Sequence, residues 1–145
     1  MIVYRLMHDY GIKKPLLVSA VDEFTMTEAG KYNRDNISKH FGVDHIYFRY
    51  SHDEFCEQAL TGFKENLNSL RWFEEQLYKT PFEIAKNFCI NTVFMGENSA
   101  FEYGSAKQLD IFCPLSDEET KVIFFGAIYP YSTADPLTIA KQCGF

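Results

Sequence analysis

The 145-residue chain has no paired-cysteine motif, no clustered glycines and no long apolar run. Cys56, Cys89, Cys113 and Cys143 are widely spaced, with no CxxC pair. That spacing points away from a disulfide framework and towards buried, reduced thiols in a cytoplasmic protein. Glycines stand singly at Gly11, Gly30, Gly42, Gly62, Gly96, Gly104, Gly126 and Gly144. No GxGxxG, Walker or SGGxDS-type loop exists, so no cluster of backbone N–H groups is in view to grip a nucleotide's phosphates. His8, His40, His45 and His52 lack metal spacing such as HExxH, and no metal site is expected. There is no GxSxG elbow and no cysteine in a nucleophile motif. No apolar stretch approaches the ~18 residues of a membrane span. The start, MIVYRLMHDYG, has no basic segment before an apolar block, so no signal peptide is expected. A net charge of −6 argues against a nucleic-acid backbone as partner.

What is present suits one domain over residues 1–145. Hydrophobic residues make up 46% of the chain and aromatics 17%, enough for a useful core. The organising stretch is TVFMGENSAFEYG, 92–104. Its first four residues, Thr92–Met95, read as a strand buried on both faces of a parallel sheet. The apolar signal then stops at Gly96-Glu97-Asn98. Ligands of open α/β sheets sit beyond the carboxyl ends of strands. A glycine, a carboxylate and an amide there read as the lip of a cleft, with Glu102 and Tyr103 close by.

In chain order, Ile2, Val3, Leu6, Met7 and Tyr10 have helical spacing, and Gly11 is a stop. This helix starts at Met1 without a cap, which raises the expectation of a missing upstream segment. PLLVSAV, 15–21, is a second strand and ends at Asp22-Glu23. Thr25-x-x-Glu28 reads as a capping box for a helix with Ala29, Tyr32, Ile37 and Phe41 on its apolar stripe. HIYFRY, 45–50, is a third strand. Ser51-x-x-Glu54 caps a helix carrying Phe55, Ala59, Leu60, Phe63, Leu67 and Leu70, with a break expected near 66–69. His52-Asp53-Glu54 is a solvated first turn rather than a site. Thr80-Pro81-Phe82-Glu83 predicts a fresh helix with Phe82, Ala85, Phe88 and Cys89 on one side. Beyond Gly104 the pattern predicts a loop, a helix from Ser116 to about Ala127, a turn at 129–132 and a last helix from Asp135. The alternation implies a parallel sheet with helices on both faces. Asp22, Glu97, Asn98 and Glu102 are the polar groups at strand ends; helix caps and turn formers explain such residues equally well.

Three stretches carry a resemblance. PLLVSAVDEFTMTEAGKYN at 15–33, the GEN…EYG segment of 93–104 and IYPYSTADPLTIAKQCGF at 128–145 resemble, in the same order, segments of N-acetyl sugar amidotransferases of surface-polysaccharide synthesis. That family belongs to the PP-loop ATP pyrophosphatases. The resemblance implies a three-layer, Rossmann-like parallel sheet with helices on both faces. It also implies ATP and magnesium: ATP adenylylates the amide oxygen of a sugar N-acetyl group, and ammonia from a partner glutaminase then displaces AMP to leave an acetamidino group. Carried over, Asp22 meets adenosine, Gly96, Glu97 and Asn98 line the ATP–substrate cleft, and Glu102 and Tyr103 lie nearer the sugar of a nucleotide-sugar substrate. Family members carry a first strand and an SGGxDS loop that this sequence lacks, and a further C-terminal region. The expectation is therefore a partial domain lacking the central strand, inactive alone and completed by a separately encoded N-terminal fragment. The competing class is a non-catalytic remnant that binds nucleotide-sugar or a glutaminase.

Overall fold

The computed structural model describes residues 1–21, 26–96, 113–129 and 134–144. They form a mixed α/β unit of six helices and four strands. In chain order these are α1 (Ile2–His8), β1 (Leu17–Ala20), α2 (Glu28–Phe41), β2 (His45–Phe48), α3 (His52–Asn66), α4 (Arg71–Asn87), β3 (Thr92–Met95), β4 (Lys121–Phe124), α5 (Phe125–Ile128) and α6 (Ala134–Gln142). The strands make two separate parallel ribbons, β1 with β2 and β3 with β4. Leu17 pairs with His45 in the first, and Thr92 with Lys121 in the second.

Several predicted elements stand where the pattern puts them. β3 covers Thr92–Met95. The Ser51 side chain accepts from Glu54 N at 3.2 Å and caps α3. Leu67 ends α3 in the left-handed region at φ 56°, inside the expected break. α2 starts later than the predicted box: Thr27, not Thr25, caps it by accepting from Gly30 N at 3.1 Å.

Other expectations are corrected. No helix opens at Thr80-Pro81, because α4 runs through Pro81 without a break. An interior proline costs about 3 kcal/mol. Burial of Thr80, Phe82 and Ala85 around it works against that cost. The predicted 116–127 helix is instead a turn, the strand β4 over Lys121–Phe124 and the start of the short helix α5 at Phe125. Asp117 Oδ1 accepts from Glu119 N and Thr120 N, bending the chain into a turn, and the β-branched residues Val122 and Ile123 then pair with β3. The apolar stripes of α2, α3 and α4 are not wholly inward. Tyr32, Leu60, Phe63, Leu67, Leu70 and Phe88 are all exposed. Cys113 and Cys143 are buried as expected, but Cys56 and Cys89 are exposed.

The tightest packing surrounds the second ribbon. Val122 and Phe125 are fully buried, each contributing about 1.5–3 kcal/mol by burial. Val93, Met95, Val122 and Phe124 pack with Tyr78 and Phe82 of α4 on one face. On the other face Phe94 meets Phe125, Phe125 stacks on Tyr129, and the Arg5 guanidinium of α1 lies 4.6 Å over the Tyr129 ring. The first ribbon is also covered twice. Tyr47 Oη donates to Asp35 of α2 at 3.1 Å. Beyond β2, Tyr50 meets Trp72 and Thr80 of α4.

α4 touches both ribbons. Tyr50, just past the carboxyl end of β2, lies 2.8 Å from Thr80 Oγ1. Phe124, the carboxyl end of β4, lies against Tyr78. The far end of α4 leads through Ile90 N, bonded to Ala85 O, into the start of β3. The second ribbon therefore runs antiparallel to α4.

Candidate functional site

Between the ribbons lies a cleft of about 860 Å³. β1 contributes all four of its residues to its wall, and β3 likewise. Of β2 only His45 reaches it, and β4 does not line it. β1 and β3 are thus the inner strands. Helices close the cleft above and below: Ile2, Val3 and Leu6 come from α1, and Leu77, Pro81, Ile84 and Ala85 from α4. The lining is overwhelmingly apolar. Lys14 and His45 are its ionisable side chains, apart from the thiol of Cys89.

Gly96 stands at the carboxyl end of β3 on the rim of this cleft. A Cβ there would come within 3.0 Å of Ile2 Cδ1, so the glycine lets α1 close over the end of the strand. Asp22, Glu97, Asn98, Glu102 and Tyr103 lie outside the described residues. The described chain leads into residue 22 from Val21 and into residue 97 from Gly96, both beyond carboxyl ends of inner strands. Among the described residues, no group of three or more His, Cys, Asp or Glu side chains is placed to hold a metal ion.

Sequence reasoning missed one polar pair in the wall. Ser19 Oγ and His45 Nε2 are 2.8 Å apart across the first ribbon. Burial, and then the charge of Arg34, push the His45 pKa below its ordinary value, with Asp35 opposing. His45 Nδ1 is buried without a hydrogen-bond partner among the described residues. The pair is set in an apolar wall. The signal for it was the serine inside the apolar run PLLVSAV.

Comparison with protein families, with characterised proteins and with solved structures finds no match for this chain.

Proposed function

We propose that the chain is the central part of an ATP-dependent N-acetyl sugar amidotransferase of PP-loop type, acting in lipopolysaccharide, O-antigen or related surface-glycan synthesis. In this reading the two ribbons are flanks of one three-layer, Rossmann-like sheet that is one central strand short. The observation that supports it is the cleft itself, a gap between two inner strands that both touch α4. Polar residues follow both inner strands at their carboxyl ends, where open α/β sheets take ligands. Asp22 and Gly96 then serve the adenosine side, Glu97 and Asn98 the reacting amide, and Glu102 and Tyr103 the sugar. The amide oxygen, a poor leaving group, departs as AMP once adenylylated, and ammonia from a glutaminase partner takes its place on carbon.

The cleft wall does not fit a triphosphate. It is apolar, and the chain has no phosphate-gripping loop. The phosphates and magnesium belong to groups outside the described residues, and no step is assigned to them. The chain alone is expected to bind a UDP-N-acetyl sugar without catalysing ATP–pyrophosphate exchange. Isothermal titration with that sugar nucleotide, repeated on Glu102→Ala and Tyr103→Ala, tests this. Saturable binding weakened by both substitutions supports the reading; no binding, or binding indifferent to both, overturns it.

A further inference from the structure

α3 packs on α4 along one side. Phe55 meets Trp72 and Phe73 of α4, and Ala59 and Gly62 continue that half-buried line along the helix. Cys56, Leu60 and Phe63 lie together about 100° round the helix from it. Leu67 extends this second stripe at the helix end. The steps of four, three and four residues between them are those of a seam between paired helices. Yet the stripe faces outward. Leu60 is 53% and Phe63 55% exposed, and Cys56 and Leu67 are exposed too. Leu60, Phe63 and Leu67 together leave about 350 Å² of apolar side chain uncovered, within the range of functional patches on a monomer.

The charge along the stripe is self-complementary. Glu57 and Lys64 flank it on one edge, the acid towards the start of α3 and the base in its last turn. Both are exposed, and neither joins an ion pair among the described residues. Asp53 and Glu54 add negative charge to the first turn. Two copies of α3 laid antiparallel therefore match throughout. Leu60 of each meets Phe63 of the other. Glu57 of each meets Lys64 of the other, so one contact is made twice. The helix dipoles oppose, with each acidic first turn near the other's carbonyl end. A parallel pair loses both charge contacts and aligns the dipoles unfavourably.

We infer that α3 is the interface of a two-fold dimer of this chain, the two helices lying antiparallel through Cys56, Leu60, Phe63 and Leu67. Such an interface is isologous, each patch meeting its own copy. With its flanks it buries about 1,000 Å² in total, the lower bound of a specific interface and short of the ~1,600 Å² of a standard one. The dimer is therefore weak, and dilute solutions hold the monomer. α3 supplies no residue to the cleft wall. The inference thus stands or falls apart from the sugar reading.

Sedimentation of the purified chain from about 5 to about 500 μM spans the affinities of a weak interface. The average mass should climb from that of one chain towards that of two. Leu60→Lys adds a charge at a site already half in water, so the chain folds as before. It should weaken the dimer at least about tenfold. Glu57→Lys and Lys64→Glu each set like charges opposite one another, and each should weaken it about fivefold. Combined in one chain, the two exchanges should restore the native association, with unchanged circular dichroism in all four variants. A chain monomeric throughout, as when another segment or another protein covers the stripe, would overturn the inference. So would a dimer indifferent to Leu60→Lys, or a double exchange as weak as either single one.

Discussion

Tyr50 Oη lies 2.8 Å from Thr80 Oγ1 and donates to Gln76 Oε1 at 3.2 Å, so the residue just beyond β2 is fastened to the middle of α4. Thr80 is buried, and its hydroxyl depends on this neighbour. The bond also ties the first ribbon to the helix that both ribbons share. Tyr50→Phe keeps the ring against Trp72 and deletes only the hydroxyl. It should cost about 1–2 kcal/mol, read as a lower urea midpoint with an unchanged slope. An unchanged midpoint would mean that the ring contact alone holds β2 to α4.

Leu67 occupies the left-handed region at φ 56° with its side chain 80% exposed. A left-handed conformation costs a non-glycine residue about 1–2 kcal/mol, and here little burial offsets it. Leu67→Gly should therefore stabilise the chain, by about 1 kcal/mol. Gly62, one turn earlier, predicts the opposite. Its carbonyl accepts from Asn68 N, and a Cβ on it would fall 2.6 Å from Asn68 O. Gly62→Ala should lower the melting temperature, since the obstacle is backbone and cannot swing away. Two shifts of the same sign would show that the α3–α4 corner is arranged differently.

Local chemistry made some of this architecture legible and hid the rest. β3 was readable because Thr92–Met95 is an unbroken run with a sharp glycine end. The Ser51 cap was readable because a hydroxyl three residues before a glutamate does one thing well. The Pro81 reading failed because a cap, a proline and a glutamate in order look the same at a helix start and inside a helix whose packing tolerates them. The 116–127 reading failed for a related reason. Ser116-Asp117-Glu118-Glu119 has the letters of a helix start, yet Asp117 uses its oxygen to make a turn, and pairing with β3 then makes Lys121–Phe124 a strand. The division of the four strands into two separate ribbons was not legible, because pairing partners are set by tertiary packing and not by any local pattern. Of the candidate site, only Gly96 falls among the described residues.

His45 gives the chain a defined response to mild acid. Its folded-state pKa lies below the ordinary value of 6.5, first through burial and then through Arg34. The unfolded chain thus takes up a proton before the folded one does, and stability rises with pH across that interval. This contribution is complete above about pH 6.5 and is lost as the pH falls towards the lowered folded value. Ser19, Tyr47, Arg34 and Asp35 are the groups around the ring, and of these only Asp35 favours the charged form. Denaturant midpoints at pH 7.5 and 5.5 should fall for the native chain and fall less for His45→Gln. Equal losses would assign the acid response to another group.

Asp117 tests whether the turn or the ion pair holds the start of β4. Its Oδ1 accepts from Thr120 N at 2.7 Å and Glu119 N at 3.0 Å, while its Oδ2 accepts from Lys86 Nζ at 2.9 Å. The Lys86 hydrogen bond, followed by the one from Thr120 N, holds its carboxyl below the usual value of 3.8. The stability this adds is present above that usual value and disappears as the pH falls through the lowered one. Asp117→Asn keeps an oxygen for the two amides and gives up the charge. Asp117→Ala gives up both. Both side chains reach solvent, at 40% and 36% relative exposure, so screening by solvent and salt makes the charge the smaller part. At neutral pH the melting temperatures should rank native, then Asn close behind, then Ala clearly lowest. The native and Asn forms should converge in strong acid, where the aspartate is protonated. An Asn variant as unstable as Ala would show that the ion pair with Lys86, and not the turn, steers the chain into the strand.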